Sequence, residues 1–199
     1  MVIASGCGLG QRPTLGSPGA GTPGGPTGDA RVDALLAKLD TIGTQKFTAT
    51  YKITQRLNAA TANATVAQDP GRTAVTVGSV LYLKTGPAEK TCDMKSKACA
   101  LGLDETKISN LSVTASFYAK SPATQIRVSY NRREGTLIFT TQQLAGVTTD
   151  CMTIPFNGGT EIYCIAPNGL IARAERQDTL VELTSVVDSV KVTAFRTPA

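Results

Sequence analysis

The residues of this 199-residue chain best equipped for chemistry are five cysteines: Cys7, Cys92, Cys99, Cys151 and Cys164. A thiol can carry a thioether, ligate a metal, exchange electrons with a partner thiol or close a disulfide. Cys7 stands far from the others, and the remaining four can pair completely, in three possible connectivities. A zinc site built from these four is disfavoured, because there is no C-x-x-C pair and no knuckle spacing. A dithiol redox motif fails for the same reason. No metal and no cofactor are expected.

Register favours one connectivity. Asn157-Gly158 stands between two β-like runs, and Asn-Gly is the strongest two-residue hairpin signal because both positions need positive φ. With that turn, Phe156 faces Gly159 and Cys151 faces Cys164. Counting outward, Cys151 and Cys164 fall on a non-hydrogen-bonded pair, where Cα atoms approach closely enough for a disulfide. Pro155 also falls on such a site, where its missing N–H does no harm to this ladder. Gly158-Gly159 offers a slipped alternative register. Cys92 and Cys99 then pair by default across a short lysine-containing loop. Two structural disulfides imply an oxidising compartment outside the cytoplasm.

Other chemistry is poorly supported. The chain has no His and no Trp, so the commonest general base is missing. A Ser–Lys pair is formally open, but Ser109 and Ser112 have no lysine at the right spacing. Asp104 and Glu105 are adjacent in sequence, and a helix cap explains them better than a catalytic dyad. Gly8-Leu9-Gly10 is no dinucleotide fingerprint, since no βα unit surrounds it. The expectation is a protein that is not an enzyme. A net charge of +5 suits weak attraction to anionic surfaces. Lys90, Lys95, Lys97 and the Arg132–Arg133 pair read as solvated loops. They do not interleave with aromatics as a nucleic-acid platform would, so no nucleic-acid partner is expected.

Cys7 closes the tetrapeptide Ala4-Ser5-Gly6-Cys7, which resembles a bacterial lipobox. In such signals the cysteine carries a thioether-linked diacylglycerol, so Cys7 is the expected lipidation site. Met1-Val2-Ile3 resembles the end of an apolar signal segment. The basic n-region and the full run of roughly 7–15 apolar residues do not precede it, and a fuller leader upstream of Met1 is the expectation. No run approaches the ~20 apolar residues of a transmembrane helix.

The elements that position these groups follow from composition and period. Residues 1–7 read as the end of a lipoprotein signal. Residues 8–28, rich in Gly, Pro, Thr and Ser, read as a flexible tether that cannot offset its ordering entropy. Residues 29–199 read as a single α+β domain. Asp29 can cap a helix from Ala30, in which Val32, Leu35, Leu36, Leu39 and Ile42 share a face, with Gly43 as the stop. Lys46–Leu57 alternates as a half-buried strand, Ala60–Gln68 is a weaker one, and Asp69-Pro70-Gly71 is a turn. Arg72–Lys84 reads as one β-rich run with a bulge or bend at Gly78, and Thr85–Leu101 as exposed loop. Asp104 can cap a short helix through about Leu111. Ser121-Pro122 opens another, with Ala123, Ile126 and Tyr130 on one face and Gly135 near its end. Strands are expected over Thr136–Leu144, Val147–Phe156, Thr160–Ala166, Leu170–Arg176, Thr179–Val187 and Val190–Phe195. Short connections make sequential strands antiparallel neighbours.

A helix, then a long antiparallel meander interrupted by helices, behind a lipobox and a Gly/Pro tether, resembles the LolA/LprG/LppX-like lipoproteins of bacterial, especially actinobacterial, cell envelopes. Ser116-Phe117-Tyr118, Ser121-Pro122 and the Cys151…Cys164 hairpin resemble uncharacterised lipoproteins of that kind, whereas the two disulfides are not a general feature of the family. The resemblance implies a curved antiparallel sheet (half-barrel) with helices on the concave face. It also implies an extracytoplasmic, membrane-anchored protein holding a lipid or glycolipid, with no catalytic residues. Phe47, Tyr51, Ile53, Leu81, Leu83, Phe117, Ile126 and Tyr130 could line such a cavity, or could fill an ordinary core. A carrier should contain an apolar cavity of about 300–1,000 Å³. The alternative is an envelope protein-interaction or assembly lipoprotein with a filled core and no ligand, using exposed surface such as Thr85–Leu101.

Overall fold

The computed structural model describes residues 25–111, 113, 115, 117 and 121–198; Cys7, Ser116 and Tyr118 lie outside them. Eleven antiparallel strands form one open sheet. In chain order they are β1 (Phe47–Gln55), β2 (Thr61–Asp69), β3 (Arg72–Val77), β4 (Val80–Thr85), β5 (Ala88–Asp93), β6 (Cys99–Leu101), β7 (Ile138–Leu144), β8 (Val147–Phe156), β9 (Gly159–Ile165), β10 (Ile171–Glu175) and β11 (Thr179–Val187). In space they run β6-β5-β4-β3-β2-β1-β11-β10-β9-β8-β7. Two meanders therefore hang from a central β1–β11 pair. The chain leaves one edge after β6 and reaches the other at β7 by crossing the concave face. That crossing carries a 3-10 segment (Glu105–Leu111) and helix α2 (Ser121–Asn131). Helix α1 (Ala30–Thr41) lies on the same face, and the larger core cluster fills the space between the two helices and the sheet.

The local reasons match the residues. Asp29 Oδ1 accepts hydrogen bonds from Arg31 N (2.9 Å) and Val32 N (3.4 Å), satisfying two of the orphan donors of a helix start. Val32, Leu35, Leu36 and Leu39 point into the core. The end tightens into a 3-10 turn at Ile42–Thr44. Pro122 falls in the first turn of α2, which ends at Asn131, ahead of Gly135. The Cys151–Cys164 hairpin has the expected register, with Phe156 facing Gly159 and Cys151 facing Cys164, but its turn differs from the expected one: of its two central residues only Gly158 (φ +98°) is at positive φ, and Asn157 is not. Pro155 turns its carbonyl away from that hairpin, where Glu134 N donates to it at 2.8 Å.

Three sequence expectations are corrected. Arg72–Lys84 is two strands, because Gly78-Ser79 is a tight hairpin turn with Gly78 at φ +57° and Val77 facing Val80. Thr85–Leu101 is largely sheet: β5 and β6 extend the meander, turning at Gly86-Pro87. Their polar sequence hides this, since a strand near an open edge need not bury a full apolar face. Val190–Phe195 is no strand. β11 already has a partner on each side, so the chain leaves the sheet, and Val192–Phe195 forms a 3-10 turn. Val190, Ala194 and Phe195 there cover a smaller apolar cluster on the convex face.

Candidate functional site

Six of the eight proposed lining residues meet on the concave side. Phe47, Tyr51 and Ile53 from β1, Phe117 from the crossing segment and Ile126 and Tyr130 from α2 are all buried in the larger cluster. The Tyr51 and Phe117 rings pack edge to face with centroids 5.4 Å apart, a favoured aromatic arrangement. Leu81 and Leu83 do not join them. Their neighbours Tyr82 and Val80 take the concave positions, because successive side chains on a strand alternate faces. Leu81 and Leu83 instead lie in the convex-face cluster with Cys92, Ala67 and Ala74. The two-strand structure around Gly78 decides which alternate residues face inward, and the single-strand reading hid it.

Among the described residues the concave side carries a slot of about 30 Å³ between α2 and strands β9–β11. Only Phe117 and Ile126 of the eight reach it, beside Tyr163, Ile165, Ala174 and Val181 from the sheet. That volume admits a water molecule or two, and ligand sites hold roughly ten times more. A wider cleft of about 360 Å³ lies on the convex face, between the ends of β1 and β2 and the C-terminal segment at Ser189–Ala194.

Polar contacts fasten the concave layer to the sheet. Ser129 Oγ of α2 donates to Glu161 Oε2 on β9 (2.5 Å), and Tyr163 Oη donates to the same oxygen (2.9 Å). Burial, followed by the Glu161 charge, pushes the Tyr163 phenol pKa up, so it stays a donor at neutral pH. Tyr82 Oη donates to the Asp104 carbonyl (2.8 Å). Burial, then the charges of Glu105 and Asp104, raises its pKa to about 12. Lys38 of α1 pairs with Asp150 of β8, and its hydrogen bond holds the Asp150 carboxyl below the usual range. Ser129, Tyr82 and Lys38 each tie two elements together, while the Tyr163 bond to Glu161 lies within β9. Among the described residues no cluster of His, Cys, Asp and Glu could hold a metal ion, and no helix is long and apolar enough to cross a membrane.

Both disulfides, Cys92–Cys99 and Cys151–Cys164, form on the convex face with Cα atoms 4.0 Å apart. In the β5–β6 hairpin the adjacent Asp93 N donates to Ala98 O (2.8 Å). Cys92 and Cys99 therefore occupy the non-hydrogen-bonded position, as Cys151 and Cys164 do. Disulfides of this kind belong to an oxidising compartment.

No protein-family model matches the chain, and no curated protein matches it in sequence. Solved structures do match. MucB aligns with a TM-score of 0.56 at 12% identity, over 86% of this chain and 64% of MucB. The MucA/MucB complex of Pseudomonas aeruginosa aligns at 0.53 and 10% identity, over 84% of this chain and 61% of that one. LprF from Mycobacterium bovis aligns at 0.44 and 11% identity, over 82% and 96%. The chain spans less than two thirds of the length of the MucB chains it matches. An open antiparallel sheet with both helices on its concave face, matched across most of its length by MucB, has the LolA-like fold.

Proposed function

We propose that this protein is a non-catalytic, extracytoplasmic binding protein, tethered to a membrane through a lipid on Cys7, whose partner is another envelope protein. The observation that carries the choice of partner is the narrowness of the slot that the described residues leave on the concave side. A slot of about 30 Å³ cannot enclose an acyl chain, whereas a carrier needs several hundred Å³. With so narrow a slot, the domain has its surface left for recognition. The solved complex of MucB with MucA supports the reading, since it is a protein partner on the same fold. Two disulfides suit the compartment.

A second reading keeps the lipid or glycolipid ligand. The slot is walled by α2 on one side and by Ile165, Ala174 and Val181 on the other, so displacement of α2 would open an apolar groove. The test is a native mass spectrum of the protein from an oxidising compartment of a bacterial host, before and after organic extraction. The expected result is a bare mass, lighter by the hydrogens of two disulfides. A stoichiometric lipid lost on extraction would replace the protein-partner reading with the carrier one. Metabolic labelling with a fatty acid should mark the full native chain, and Cys7→Ser should abolish the label.

A further inference from the structure

We propose that the free edge of β7 is a self-association site, at which two copies join antiparallel into one continuous sheet. An open sheet has two edges, here β6 and β7. An unpaired edge presents a row of N–H and C=O groups that attracts another strand, and stable monomers blunt it with shortness, charge, Pro or bulges. β6 is blunted by length, since it has only Cys99-Ala100-Leu101. Among the described residues no strand pairs the outer edge of β7, and the strand itself carries none of these devices. Its sequence Ile138-Phe139-Thr140-Thr141-Gln142-Gln143-Leu144 has no charge and no Pro, and it pairs with β8 without a break.

The outward groups can be assigned. The β7–β8 turn is Ala145-Gly146, both at positive φ, and Leu144 faces Val147. In a two-residue hairpin the pair flanking the turn is hydrogen-bonded, and pairs then alternate. Leu144, Gln142, Thr140 and Ile138 thus bond β8, and the N–H and C=O of Phe139, Thr141 and Gln143 point away from it. Two β7 strands related by a two-fold axis at Thr141 place Thr141 opposite Thr141 and Phe139 opposite Gln143. Every outward N–H on one copy then meets an outward C=O on the other. The same register sets Ile138, which is 58% exposed, opposite half-buried Leu144, which packs against the larger apolar cluster, once at each end. Thr–Thr and aliphatic cross-strand pairs are favourable, and no like charges meet. A second copy therefore satisfies both the backbone and the exposed side chains. Strand pairing of this length makes an interface at the small, transient end of the range.

The test is sedimentation equilibrium of the chain across micromolar to millimolar concentrations, in a Cys7→Ser background that prevents a chance intermolecular disulfide. The expected result is a monomer–dimer equilibrium, with amide hydrogen exchange slowed in the dimer at Phe139, Thr141 and Gln143. Thr141→Pro removes an outward N–H and keeps the backbone bonds to β8, losing only the 3.3 Å side-chain bond from Thr141 Oγ1 to Asp150. Thr141→Lys places two ammonium groups face to face at the axis. Each should weaken the dimer at least about tenfold, with the thermal midpoint nearly unchanged; the lysine variant decides if the proline variant misfolds. A chain that stays monomeric throughout, or a dimer indifferent to Thr141→Lys, overturns the proposal.

Discussion

Single residues hold this fold at points where no other residue type would serve. Gly169 has φ +84°, and a Cβ there would sit 2.2 Å from the Lys38 carbonyl oxygen. The Pro167–Gly169 turn therefore packs directly on the backbone of α1. Gly169→Ala should destabilise the protein by at least about 2 kcal/mol, since it combines a strained φ with a backbone clash; urea unfolding would measure it, and a neutral result would mean that α1 does not dock there. Tyr82 reports on the crossing segment. Its phenol ionises near 12 in the fold against roughly 10 when unfolded. A raised pKa on an acidic hydroxyl means that its stabilisation is full below about pH 10 and is lost as the pH climbs from there through 12. Tyr82→Phe should cost about 1 kcal/mol at pH 7 through the lost bond to Asp104, and the difference from wild type should shrink by pH 11. Denaturant midpoints at the two pH values check this, with Cys7→Ser in place to prevent thiol exchange.

At the scale of elements, turn chemistry and cysteine register were legible, and polar edge strands were not. Asn157-Gly158 set one hairpin, and its consequence at Cys151–Cys164 follows by counting alternate pairs. The Gly78-Ser79 turn uses an equally short signal, but the long β-rich run on both sides disguised it as a bend. β5 was hidden for a different reason: Ala88–Asp93 has no alternating apolar pattern, and its strand state comes from pairing with β4. The two disulfides close loops of different length, with sequence separations of 13 and 7. Chain-entropy arguments then make Cys151–Cys164 the more stabilising, at about 3 kcal/mol, with Cys92–Cys99 a few tenths lower. Replacing both members of each pair by Ala and comparing guanidinium midpoints should give that order.

For the whole molecule, the long crossover makes the architecture. Because the chain returns over the concave face between the two edge strands, helices and sheet enclose the larger of the two apolar clusters. α1 is tied across it by the Lys38–Asp150 pair, whose partners lie 112 residues apart. Asp150 has a lowered pKa, so its stabilisation is present above the unfolded carboxyl value near 4 and is lost as the pH falls through the folded one. Asp150→Asn should flatten the acid limb of the stability curve below about pH 4 and leave the alkaline limb alone. Unfolding midpoints from pH 2 to 7 would show it, and an unchanged acid limb would mean that solvent screens the pair.

The sequence by itself determined the local decisions: the Asp29 cap, the place of the Asn157-Gly158 turn and the alternation of β1, and it favoured the Cys151–Cys164 pair. Those depend on φ, side-chain reach and a period of two, all set within a dozen residues. It also pointed to six side chains that do meet in one core. Only the tertiary structure decided how narrow a slot they leave, because packing depends on how residues distant in sequence interlock. The same holds for Leu81 and Leu83, whose outward placement depends on where a neighbouring turn sets the strand's phase. It holds too for β7, whose sequence resembles any other strand until the sheet order leaves it without a neighbour.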